Sequence, residues 1–199
     1  MSTKDDIRAK SLKRVPHLTN WVLPPWMVKA MAELGETEVA GKGSNPRILD
    51  YRKIAALPFE GEDGVVPWCA IFINAMLAGA GITGSQSAMA RSFAISGAFE
   101  RLDAPMVGCI TVISSSRGPA SGHVFFYAGE NGIMFAGLGG NQSDAVSVDF
   151  FQKSRLVGHF WPRGVAKLPP PFDKPVRLAR PLLPHEKRAL AGGNEVRDA

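Results

Sequence analysis

The chain has 199 residues, 45% of them hydrophobic and 21% charged, with a mean hydropathy near zero. This is the composition of one globular domain with tails; collagen, coiled coil and wholesale disorder are excluded, and no apolar run approaches the roughly 18–20 residues of a membrane span. The net charge of +5 sits at the ends: residues 1–30 carry six Lys/Arg against two Asp/Glu, residues 163–199 eight against four, and the middle nine against twelve.

Such a distribution is not a nucleic-acid groove, which needs basic and aromatic residues on one folded surface. Basic ends suit a polyanion such as a membrane or a cell wall, or simply serve solubility. Two cysteines are too few for a disulfide scaffold or a structural zinc site. The start, MSTKDDIRAKSLKR, has basic residues but no apolar stretch after them. Cytoplasmic synthesis without a signal peptide is therefore expected, with reduced thiols.

In chain order, residues 1–19 read as a flexible basic segment without hydrophobic period. Trp26–Leu34 reads as a short helix, with Pro25 at its first turn and Gly35 at its end. Asn45-Pro46 caps a second helix over 46–56. A loop over 57–67 leads to WCAIFINAMLAGA (68–80), almost wholly apolar with Asn74 its one strongly polar side chain, and hence a buried helix. Residues 85–100 read as a further helix. The runs at 107–113, 123–129, 132–138, 145–151 and 156–161 are β-rich, with Gly, Ser and Asn between them. Helices first and a strand meander after predict an α+β domain over 20–162 with an antiparallel sheet of about five strands. From 163 onward a basic, Pro-rich tail follows.

The chemistry-bearing residues fall into this frame at three places. Cys69 stands at the predicted start of the buried helix, after Pro67 and Trp68. A helix N-terminus stabilises a thiolate, and its unpaired N–H groups can receive an oxyanion. Inert packing is the other reading of a cysteine in an apolar helix. His123 opens a strand after a Gly-rich turn, where it could act as a base toward a thiol, or be an ordinary loop histidine. His159, inside the last strand, is its one competitor.

Asn141 follows Gly137-Leu138-Gly139-Gly140. Its amide oxygen could fix a histidine tautomer, or serve only its own turn. The glycine run lacks a phosphate-loop pattern. Glu36 and Glu38, with Asp144 or Asp149, read as solvated carboxylates. With no HExxH or CxxC cluster, metal catalysis has no support and no cofactor is expected.

Taken together, GETEVAGKGSNPRILDY (35–51), PWCAIFINAML (67–77), SGHVFFYAG (121–129), LGGNQSDAVSV (138–148) and LVGHFWP (156–162) resemble a bacterial and phage subfamily of the CHAP/NlpC-type cysteine peptidases, papain-like hydrolases of peptidoglycan. The resemblance covers roughly residues 26–162. It implies a papain-like fold and cofactor-free amidase or endopeptidase activity on the peptide stem of the cell wall. Cys69 matches the nucleophile and His123 the base. Asn141 matches the residue that orients the base, with Gln142 beside it as the alternative. Trp68 and Gln142 are expected to line the substrate or oxyanion site.

The chain departs from the family where Val107-Gly108-Cys109-Ile110 replaces a proline-Gly-Asp strand start, in the tryptophan-free segment after the cysteine helix, and in its tail. The resemblance implies peptidoglycan as partner, no nucleic acid and no stable membrane insertion. It fits a phage lysin, or a secreted antibacterial effector with an immunity or secretion partner, acting at the wall after lysis or non-Sec secretion. Alternatives are a thiol acyltransferase or deamidase acting on protein, and a non-catalytic binding or virion module, the latter favoured by a Cys69–Cys109 disulfide.

Overall fold

The structure, a computed structural model, describes residues 2–57, 60–115, 118 and 121–178. The fold is α+β: among the described residues five α-helices come first and a six-stranded antiparallel sheet follows, in the order β1-β6-β2-β3-β4-β5. The strands are β1 (Phe99–Leu102), β2 (Ile110–Ser114), β3 (Gly122–Glu130), β4 (Met134–Gly139), β5 (Ser147–Gln152) and β6 (Leu156–Pro162). Five of them answer to the β-rich runs of the sequence. The sixth, β1, lies where the sequence pattern predicts the end of a helix. Only Ser92–Ile95 (α5) is helical there; Ser96 and Gly97 interrupt it, and Phe99 begins pairing with β6.

The helix pattern holds at α2 (Pro25–Ala32), α3 (Pro46–Ile54) and α4 (Cys69–Gly79). The Asn45 side chain caps α3 by accepting from Arg47 N–H at 2.8 Å. Trp26 anchors α2: its indole donates to Gly108 O at 2.8 Å and its ring meets Trp161 edge-on. Every residue of α4 from Cys69 to Leu77 is buried, between α3 and α2 and the strands β3 and β4.

The N-terminal segment overturns the expectation of a flexible tail. Lys4–Arg14 forms α1, opened by a capping box in which Thr3 and Asp6 each satisfy the other's backbone N–H. Its periodicity is weak because it docks by polar groups. Ser11 Oγ accepts from Val148 N–H at 3.0 Å, and the buried Arg14 bonds Val148 O and the Asp149 carboxylate. Beyond β6 the chain returns to β3: Glu130 N–H donates to Val176 O, Leu178 N–H to Glu130 O, and Val176 N–H to the Tyr127 hydroxyl. The remainder of the expected tail, 179–199, lies outside the described residues. Among the described residues no helix is long and apolar enough to cross a membrane.

Candidate active site

Cys69 is the first residue of α4, and the N-cap residue Trp68 contributes no side-chain hydrogen bond. The helix therefore opens on backbone N–H groups without the usual hydroxyl or carboxylate cap, an arrangement that favours an anion. Trp68 is fully buried. Its indole N–H donates to Glu38 Oε1 at 2.6 Å, and its ring stacks over Tyr51. Trp68 is thus fixed in place at the start of α4. Cys69 is 3% exposed, and neither it nor Cys109 is in a disulfide.

The glycines before Asn141 make room. A Cβ on Gly140 would sit 2.4 Å from the Trp68 ring and 2.7 Å from Phe72 Cβ. One on Gly139 would meet the Gln142 amide oxygen at 2.7 Å, and one on Gly137 would overlap the Phe125 ring. Only glycine lets the end of β4 pass this close to the start of α4. Beyond it the chain turns tightly, with Asn141, Ser143 and Asp144 all in the left-handed region.

Within this turn the two adjacent amides divide the work. Gln142 Nε2 donates to Ser147 O at 2.7 Å and to Gly137 O at 3.2 Å, which points its oxygen at His123 Nε2, 3.1 Å away. An amide oxygen only accepts, so His123 carries its proton on Nε2 and keeps the lone pair of the neutral ring on Nδ1. Asn141 serves the other side. In the amide orientation that satisfies both its groups, its oxygen accepts from Trp68 N–H at 3.2 Å and its nitrogen donates to Glu38 Oε1 at 3.0 Å. Asn141 is therefore placed on Trp68 and Gln142 on His123. One segment, 140–142, touches both the residue before Cys69 and the imidazole of β3.

His123 is buried, tilted against Phe151 and Phe125 at ring-centroid distances of 5.0 and 5.9 Å. Glu38 is the residue that spacing did not reveal. Far from a solvated carboxylate, it holds both Trp68 and Asn141, and its backbone N–H donates to Asp144 O at 2.9 Å. Burial raises its pKa, with Asp144 and Asp63 acting in the same sense and the Trp68 hydrogen bond against them. Its only sequence signal is that GETEV and LGGNQSD occur in the same chain.

His159, the competing base, stands apart in the middle of β6. Its Nδ1 lies 3.0 Å from Thr111 Oγ1 and 4.0 Å from Cys109 Sγ, with Tyr127 and Phe135 edge-on. Burial, reinforced by Arg101 and Lys153, pushes its pKa down to about 4; burial pushes the Cys109 thiol up to about 12. Compared with protein-family models, curated proteins and solved structures, the chain matches none.

Proposed function

We propose that this chain is a papain-like cysteine amidohydrolase of the CHAP/NlpC type that cleaves the peptide stem of peptidoglycan, as a phage lysin or secreted antibacterial effector. The single observation that carries the reading is the Gln142–His123 hydrogen bond, joined through 140–142 to the start of α4. An oriented imidazole and a helix-terminal cysteine tied to one rigid turn are what thiol acyl transfer requires.

In this mechanism His123 Nδ1 takes the Cys69 thiol proton, and the helix terminus favours the thiolate. Sulfur attacks the amide carbonyl and a C–S bond forms. The oxyanion is received by backbone N–H groups of the first turn of α4, each such donor worth roughly 3 kcal/mol in the transition state. The C–N bond then breaks as His123 returns the proton to the departing amine. Water, deprotonated by the same ring, attacks the thioester, and the thiol and a free carboxylate are released. Gln142 holds the ring throughout, and Trp68 walls the site.

The test is mass spectrometry of muropeptides after incubation with the purified chain, with Cys69→Ala as control. New stem-peptide fragments from the wild type alone are expected; intact muropeptides, or equal cleavage by Cys69→Ala, would overturn the reading. A second reading, a binding module on the same fold, is favoured by the near-complete burial of both Cys69 and His123. It predicts binding of wall fragments without turnover.

A further inference from the structure

A cleft of about 720 Å³ opens between α1 and the turn after β4; neither Cys69 nor His123 lines it. One wall is α1, with Lys10 and the buried Arg14; the other is the turn 142–145 together with Glu38. Ile7, Val39 and Val65 supply apolar surface, and Val65 is 75% exposed.

Two charges in the cleft are unspent. Arg14 is engaged by Val148 O and Asp149, and Glu38 by Trp68 and Asn141. Lys10 and Asp144, by contrast, are exposed, and their side chains take no hydrogen-bond or ion-pair partner among the described residues. Asp144 is held at a φ of 61°, a conformation that an L-residue adopts at a cost. The cleft thus presents a cation from the helix and an anion from the turn, with methyl-sized apolar contacts nearby. Its floor includes Gln142 and Glu38, the two side chains that hold His123 and Trp68.

We infer that this cleft binds a short amphoteric peptide, its carboxylate toward Lys10 and its ammonium toward Asp144, and that it is the subsite through which an uncleaved length of wall stem peptide is held against the turn 140–145. The identity of the ligand rests on the proposed function; the existence of the site does not. A ligand here touches Gln142 and Glu38 directly, so occupancy steadies the turn that orients His123.

The test uses the full chain carrying Cys69→Ala, so that nothing is turned over, and a synthetic stem tetrapeptide with free ends as the probe in titration calorimetry. Lys10→Ala and Asp144→Asn are each expected to weaken binding about three- to tenfold, the range of one partly exposed ion pair or charge-assisted hydrogen bond. Asn tolerates the left-handed backbone, so the second variant keeps the turn. Amidating the peptide's carboxyl end should reproduce the Lys10→Ala loss and leave nothing further for that variant to remove.

Lys53→Ala, at an exposed position of α3 outside the cleft lining, is the control and should bind as the parent does. Equal affinity in all variants, or no binding by the parent at millimolar peptide, overturns the subsite. Intact muropeptides with the wild-type chain, alongside charge-dependent peptide binding, would overturn the hydrolase reading while leaving the subsite standing.

Discussion

The molecule has two cysteines and two buried strand histidines, and they differ in what surrounds them. Cys109 and His159 are neighbours inside the sheet, 4.0 Å apart, yet burial drives the thiol up and the imidazole down, so that both are neutral near pH 7. Cys69 instead heads a helix, and His123 has its ring nitrogen fixed by an amide that two carbonyls hold in place. Closeness alone does not make a dyad. A thiolate needs something that favours its charge strongly enough to offset burial; inside the sheet the hydrogen bonds from Met106 and Thr111 to Cys109 do not.

The sharpest way to break that comparison is to exchange the sulfurs one at a time. Cys69→Ala should lower hydrolysis by about 10⁴-fold or more, as loss of an acyl-transfer nucleophile does. Cys109→Ala should leave the rate within about twofold and cost only the packing of a small buried group. A thiol reagent at pH 8 should then label Cys69 in the native chain and reach Cys109 only on unfolding, because a thiol titrating near 12 offers almost no thiolate there.

Gln142→Ala tests the second half of the contrast. With the Nε2 proton no longer held, the rate should fall about 10²-fold and its pH profile should shift, whereas a packing defect alone would move only the melting temperature.

The glycine turn should be the most sensitive backbone. Gly140→Ala, pressed against Trp68, is expected to cost about 1–3 kcal/mol by urea unfolding. Gly132→Ala, with open space around it, should stay within about 0.5 kcal/mol.

The pH dependence concerns His159. Unfolded, it takes up a proton below pH 6.5; folded, only below about 4. Stability should therefore drop as pH falls through that window, by at most about 3 kcal/mol, and His159→Gln should flatten the slope. His17, whose pKa burial also lowers, adds in the same direction. A urea midpoint that rises between pH 6.5 and 4 would contradict the burial of these rings.

Much of this was legible in the residues. The run 69–77, apolar but for Asn74, marked a buried helix, and the alternation of apolar runs with Gly and Asn turns marked five of the six strands. Cys69 at a helix start, His123 at a strand start and Asn141 after a glycine run were singled out by their place in those elements, and Gln142 entered as the alternative to Asn141 through the family resemblance. What stayed hidden depends on contacts distant in sequence. The division of labour between the two amides is set by where Ser147 and Gly137 place their carbonyls. Glu38 gains its role because 36–38 runs alongside 144–146. Helix α1 was missed because its docking side chains are a serine and an arginine, which carry no hydrophobic period. Strand β1 was missed because four residues pairing with a strand some sixty positions away leave no local trace.

That serine and arginine have a consequence for how the molecule behaves among its copies. β5 is the last strand of the sheet, and such a border ordinarily offers its open N–H and C=O groups to any passing strand. Here Ser11 and Arg14 occupy both groups of Val148, and Gly35 and Glu36 take those of Val146. Helix α1 and residues 35–36 thus sheathe this part of the border: a chain shortened past Arg14 would uncover both groups of Val148, and self-association would be the first sign of the loss.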